Sequence, residues 1–405
     1  MAWADSRFTI PCMSLLADLV NTSQRVAATA ARRTKVRELG LFLKALPSNE
    51  IETAVNYLSG EISQGKIGIA YKALQAATAT ATEAAGEAVL SISEVDRSLA
   101  AIAAMRGTGS MGLRAEALHA LFSRATAPEQ QFLLRLIVGE LRQGALAGVM
   151  IDAIGAAAGL AVGEVRRAAM YSKSLGAVAR AALLEGSSAL KQFQLELFVP
   201  ASPMLAQTAA DVEEALKQLG GDVEFEWKMD GARIQTHKVS DEVRIYTRSL
   251  NEVTEAVPEI VEAVRALGAR SLILDGEAIA FDAADRPHPF QITMRRFGRK
   301  LNVEASRAEL PIRAFFFDCL HVDGQSIVDR PTRERIEALA NVVPASMRVP
   351  RLVTSSESEA GAFYDAAIKA GHEGLMAKAL NAPYEAGNRG ASWLAAARQS
   401  DSLPP

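Results

Sequence analysis

The sequence is poor in residues that would lock it by covalent or metal cross-links. It holds two cysteines, Cys12 and Cys319, among 405 residues. Two cysteines supply neither a disulfide framework nor a four-cysteine zinc site, and a reducing cytoplasm fits best. Long apolar runs are also missing. The opening, MAWADSRFTIPCM, has no stretch suited to a signal peptide. The nearest approach to a membrane span is GALAGVMIDAIGAAAGLAV (144–162), which is rich in glycine and alanine and carries Asp152. Buried helices are the expectation there, and no membrane partner is expected. A strong charge of either sign is absent as well, since the net charge is −3. It is unevenly spread: residues 1–200 hold 20 Lys and Arg against 17 Asp and Glu, and the remainder 24 against 30. A surplus of three positive charges permits contact with nucleic acid without establishing it.

What is present divides into two styles. The length predicts two domains. In the first 190 residues the apolar positions follow helical spacing. Val36, Leu39, Leu43 and Leu46 form one stripe ending at Pro47, and Ile51, Ala54, Val55 and Leu58 form a second closed by Gly60. Thr126-Ala127-Pro128-Glu129 is a capping box with proline in the first turn. Two prolines in FVPASPMLAQ (198–207) mark a change. Beyond them VRIYTR alternates as a strand, and LILDGEAIAF and IRAFFFDCL are short apolar runs suited to buried strands, with helical insertions such as VPEIVEAVRALG (257–268) between. The expected fold is multidomain: an all-α N-terminal domain to about residue 200, then an α+β domain.

The stretch EFEWKMDGARIQTHK (224–238) carries the chemistry. Asp230-Gly231 between two alternating segments reads as the tight turn of a β-hairpin. Lys228 and Arg233 on either side open another reading. A lysine amine becomes nucleophilic when burial, a neighbouring cation or a metal removes its proton, and an arginine nearby can hold the phosphate under attack. Attack on the α-phosphate of a nucleotide would give a phosphoramidate, with Mg²⁺ and carboxylates needed to neutralise charge. Downstream candidates are individually ambiguous. Glu277 in LDGEAIAFD is either used by a site or faces out from a half-exposed strand. Phe317 in FFFDCLHVDG suits stacking on a base or a place in a core. Glu373 and Lys378 bracket an apolar four-residue span.

The order of these motifs resembles the covalent nucleotidyltransferases, most closely the ATP-dependent DNA ligases of bacterial, actinobacterial type. KMDGAR (228–233), YTRS (246–249), LDGEAIAF (274–281), AFFFDCLHVDG (314–324), EGLMAK (373–378) and YEAGNRGASWL (384–394) carry the resemblance. GELRQGALAGVM (139–150) and PASPMLAQ (200–207) extend it through a helical DNA-binding domain to about Met13, an alternative start. The resemblance implies an extension at 1–12, a helical DNA-binding domain at 13–199 and an adenylation domain at 200–394. It makes Lys228 the residue adenylated by ATP. Glu226 would contact adenine and Phe317 stack on it. Arg233 and Arg248 would hold ribose and phosphates. Glu277 would bind ribose or a metal ion, Glu373 a metal ion, and Lys378 and Arg389 would complete the phosphate site. The implied cofactors are ATP and Mg²⁺. The implied partner is nicked duplex DNA, bound by a monomeric, cytoplasmic, nucleoid-associated enzyme acting in repair, replication or recombination.

The sequence also departs from that pattern. After Ser392-Trp393-Leu394 the family carries Lys-x-Lys, whereas here Ala395, Ala396 and Ala397 follow. No late Arg-x-Asp-Lys motif of an oligonucleotide-binding domain occurs, and residues 395–405 form an atypical tail. The expectation is a truncated chain with impaired activity. An RNA-ligase or capping-type nucleotidyltransferase, and a nick-binding remnant that does not seal, are the alternatives.

Overall fold

The computed structural model describes residues 13–397 apart from 66, 68, 70–73, 75–83, 142–146, 173, 283–285, 299–302, 386 and 388. The expected extension at 1–12, part of the GELRQGALAGVM motif and the tail beyond 397 therefore lie outside the described residues. The chain divides into two compact units, Met1–Gln194 and Leu195–Pro405.

The first unit is helical. Its described helices are α1 (Leu16–Ala27), α2 (Arg32–Ala45), α3 (Ile51–Leu58), α4 (Ile92–Ala104), α5 (Ser110–Ser123), α6 (Ala127–Val138), α7 (Ala147–Ala158), α8 (Val162–Met170), α9 (Leu175–Leu184) and α10 (Ser187–Leu190). The sequence stripes become buried faces: Leu39 and Leu43 of α2, and Ile51, Ala54, Val55 and Leu58 of α3, are shielded from solvent. Thr126 and Glu129 close the capping box that starts α6, and Gly139 ends it in the left-handed region at φ +77°. Gly176 lets α9 cross α3 closely, because a Cβ there would sit 2.5 Å from the Glu52 carbonyl oxygen. The Gly/Ala-rich stretch supplies buried α7 rather than a span. Among the described residues no helix is long and apolar enough to cross a membrane.

The second unit has two five-stranded sheets. Its strands are β1 (Leu205–Ala209), β2 (Val223–Lys228), β3 (Ala232–Val239), β4 (Glu242–Thr247), β5 (Ser271–Ala280), β6 (Ile312–Val322), β7 (Gln325–Ser326), β8 (Arg351–Thr354), β9 (Gly374–Ala379) and β10 (Arg389–Ala397). The orders are β1-β10-β9-β2-β8 and β4-β3-β5-β6-β7, antiparallel throughout except for β1 beside β10. Helices α11 (Val212–Leu219), α12 (Pro258–Arg265), α13 (Phe290–Phe297), α14 (Val303–Glu309), α15 (Thr332–Val342) and α16 (Glu357–Lys369) are inserted between strands. Val223 and Phe225 of β2 enter the apolar core under α11 and α16, while Leu272, Leu274 and Phe316 anchor the core of the other sheet.

The hairpin reading of Asp230-Gly231, left open by the sequence, does not hold. β2 belongs to one sheet and β3 to the other, so the pair carries the chain between sheets. The Asp-Gly signal is local and does not specify the partner of the next strand. Gly231 is required there for space: a Cβ would meet Ile279 Cγ1 at 2.4 Å and the Ala278 carbonyl oxygen at 2.6 Å. The alanines after Leu394 continue the last strand. β10 runs through them to Ala397, with Ala395 opposite Met376 and Ala396 opposite Leu375.

Candidate active site

A cavity of about 410 Å³ lies between the two sheets of the second unit. Strand alternation decides what faces it. On β2, Phe225 turns toward the core, which leaves Glu226 and Lys228 lining the cavity. Met376 and Lys378 of β9, and Trp393 and Ala395 of β10, line the same wall. Arg233, Glu277 and Phe317 come from β3, β5 and β6 of the opposite sheet, and Arg248 from the end of β4. Eight of the nine residues singled out in the sequence therefore meet in one cavity. The ninth, Arg389, starts β10, and its side chain lies outside the described residues.

Lys228 sits at the rim, its side chain 31% exposed, and forms an ion pair with Glu373, which is 42% exposed. The backbone supports the pair, since Glu373 N–H donates to the Lys228 carbonyl oxygen at 3.0 Å. Partial burial holds the Lys228 ammonium below the ordinary lysine value, against the opposing pull of Asp230 and Glu277. Glu277 is register-paired with Arg233 across β5 and β3. Burial pushes its carboxyl well above the usual carboxylate range, with Arg233 pulling the other way.

Deeper in, Glu226 is buried between two cations. Its Oε2 lies 2.5 Å from Lys378 Nζ and its Oε1 3.1 Å from Arg351 Nη2. Phe317 forms an aromatic corner with Trp393, ring centroids 6.1 Å apart and planes at 78°. Lys378 Nζ lies 4.9 Å from the Phe317 ring centroid and 4.5 Å from that of Trp393.

Arg233 is held from within. Its Nε and Nη2 donate to the two Asp275 oxygens at 3.1 and 2.6 Å, Nη1 donates to the Met204 carbonyl at 2.5 Å, and Nη2 also reaches Tyr384 Oη at 3.2 Å. Tyr384 Oη in turn donates to Asp275 Oδ2 at 2.6 Å. These contacts make Arg233 a strut between the sheets, with little left to offer a ligand. Arg248, by contrast, is exposed at the cavity mouth.

Sequence reasoning missed Asp275, Tyr384, Trp393 and Arg351. Asp275, Tyr384 and Trp393 stood inside quoted motifs, where a buried acid, a phenol and an indole were signals in plain view. Arg351 carried none.

Among the described residues no three or more His, Cys, Asp or Glu side chains gather to hold a metal. A Mg²⁺ ion needs no such cage, because one or two carboxylates complete its shell together with water and substrate phosphate. Glu277 and Glu373, both beside Lys228, fit that donor set.

Comparison with known proteins adds three findings. Residues 203–395 match the family described as ATP dependent DNA ligase domain, and residues 41–155 match DNA ligase N terminus. A "Probable DNA ligase" of Anaeromyxobacter sp. (strain Fw109-5) is 52% identical over 379 residues, covering 94% of this chain and 73% of that protein. "DNA ligase B" of Mycobacterium tuberculosis (strain CDC 1551 / Oshkosh) is 49% identical over 382 residues, covering 94% and 74%. Among solved structures, one titled Pmar-Lig_PreS3 aligns with a TM-score of 0.56 at 15% identity, over 94% of this chain and 78% of that one, a likeness of fold. With half of the positions shared along 94% of its length, the chain belongs to the ATP-dependent DNA ligase family.

Proposed function

We propose that the cavity binds ATP and that Lys228 carries AMP to the 5′-phosphate of nicked duplex DNA. The observation that carries this reading is the convergence of Lys228, Glu226, Glu277, Phe317, Glu373 and Lys378 on one cavity between two sheets. The neutral Lys228 amine attacks the α-phosphorus, a P–N bond forms, the bond to the bridging oxygen breaks and pyrophosphate leaves. Lys378 and Arg248 take the phosphates, Phe317 and Trp393 wall the base, and the Glu226 carboxylate accepts from its amino group. Arg233 fixes the geometry of the opposite sheet through Asp275 and Tyr384. Mg²⁺ held by Glu277 and Glu373 would neutralise phosphate charge when bound. The AMP then passes from nitrogen to the 5′-phosphate, which gains a good leaving group. Attack by the 3′-hydroxyl seals the strand and releases AMP. The same reading makes the protein a monomeric partner of DNA at the nucleoid.

Sealing of a nicked duplex carrying a labelled 5′-phosphate tests this reading, with a matched RNA nick beside it. Joining of the DNA nick in the presence of ATP and Mg²⁺ is the expected result, and preferential joining of RNA would favour the RNA-ligase alternative. One observation supports a slower variant of the reading: Ala395 lines the cavity where the family carries lysine. On that account a pre-adenylated nick is bound but sealed slowly, and Ala395→Lys accelerates sealing.

A further inference from the structure

The sheet behind the cavity carries more charge than this reaction uses. Three adjacent strands bring Lys378 of β9, Glu226 of β2 and Arg351 of β8 together, so that Glu226 is flanked on both sides by a cation. Register explains the geometry. Arg351 stands directly opposite Glu226 in the β2–β8 ladder, whereas Lys378 stands opposite Glu224 and reaches diagonally to Glu226. Glu224, on the same face of β2, lies 3.4 Å from Arg351 Nη1. Glu224, Glu226 and Lys378 are all at most 2% exposed, and Arg351 is 17% exposed. Glu226 and Lys378 line the cavity, and the other two stand behind it.

A phosphate in the cavity would compete with Glu226 for Lys378 Nζ, now 2.5 Å from the carboxylate, and weaken that pairing. A buried carboxylate abandoned by its partner is costly, so something else must hold it. Arg351 is the cation that remains, 3.1 Å from Glu226 Oε1, while Oε2 faces Lys378. We propose that Arg351 is a positioning residue of the nucleotide site: it fixes Glu226 at the base edge, with Glu224 as its buried anchor, and thereby sets the preference for adenine over guanine. A carboxylate accepts from the exocyclic amino group of adenine and repels the carbonyl oxygen that guanine puts in its place. The inference rests on the reading of the cavity as an ATP site.

Lysyl-nucleotidylation by the full chain, titrated separately with ATP and GTP, tests it. Arg351→Met is expected to raise KM for ATP about tenfold with a smaller effect on kcat, and to cut the ATP-over-GTP preference about tenfold. Arg351→Lys keeps the charge and is expected to recover most of both. Thermal unfolding shows whether the Met variant is folded, and Arg351→Gln takes its place if it is not. A folded variant with KM and nucleotide preference unmoved overturns the proposal, as does a lowered Tm with preference intact. Failure of the wild-type chain to take either nucleotide overturns the reading of the cavity itself.

Discussion

Lys228 and Glu373 neutralise one another across neighbouring strands, the ammonium of β2 against a carboxylate just ahead of β9. An ammonium so held is not a nucleophile. A divalent ion on Glu373 would take up the carboxylate and loosen the lysine in one event. Glu373→Gln is therefore expected to require at least about tenfold more Mg²⁺ for half-maximal lysyl adenylation, with Glu373→Asp between it and wild type. A Mg²⁺ titration of Glu373→Gln that overlays wild type would contradict this role.

The pH dependence follows from the state of Lys228. Burial lowers its pKa from the ordinary 10.5, and Asp230 and Glu277 oppose the shift. Only the neutral amine attacks, so the single-turnover adenylation rate rises with pH and levels off below 10.5. Removing a carboxylate that favours the ammonium moves the midpoint lower, which is the expected effect of Asp230→Asn. A profile that falls with pH across the neutral range would contradict the assignment.

Phe317 tests the base site. Its ring lies against Trp393, with Lys378 over it. Stacking on a base is worth ~1–3 kcal/mol, so Phe317→Ala is expected to weaken ATP binding about tenfold in a calorimetric titration. Unchanged affinity would place the base elsewhere.

Gly231 tests the crossing between the sheets. A Cβ there would lie 2.7 Å from Glu277 Cγ and closer still to the Ala278 carbonyl oxygen, which the β3–β5 ladder holds in place. Gly231→Ala is expected to displace Glu277, reducing kcat/KM by about tenfold or more and lowering Tm. Kinetics equal to wild type would show that the loop accommodates a side chain.

His237 sets an acid limit on stability. Burial, with His321 adding to it, lowers its pKa from 6.5 to about 3, and its Nδ1 accepts from Phe198 N–H at 2.9 Å. Between those two values the unfolded chain binds the extra proton, so stability is lost as pH falls below 6.5, by as much as a few kcal/mol. His237→Gln is expected to flatten unfolding free energy against pH in that window. Equal slopes in the two proteins would assign acid sensitivity to other groups.

Much of the site was legible in the sequence because its residues sit in short motifs whose order is distinctive. The helical stripes of α2 and α3 were legible because burial follows a period of 3.6. Asp230-Gly231 left the hairpin reading open, since turn chemistry is local while sheet membership is decided by pairing far along the chain. The strand formed by the alanines of β10 was not legible for a related reason. Their intrinsic preference is helical, and the ladders to β9 and β1 override it. The strut of Arg233, Asp275 and Tyr384 joins residues up to 151 positions apart, so no local pattern announces it. Arg351 gains its meaning only from register with Glu226.

Every role assigned to the cavity depends on covalent adenylation of Lys228. Incubation of the chain with α-labelled ATP and Mg²⁺, followed by denaturation and peptide mapping, measures it directly. Label is expected on the peptide containing Lys228, released as pyrophosphate is added back, and none on Lys228→Ala. An unlabelled wild-type chain, or equal label on the variant, would contradict it.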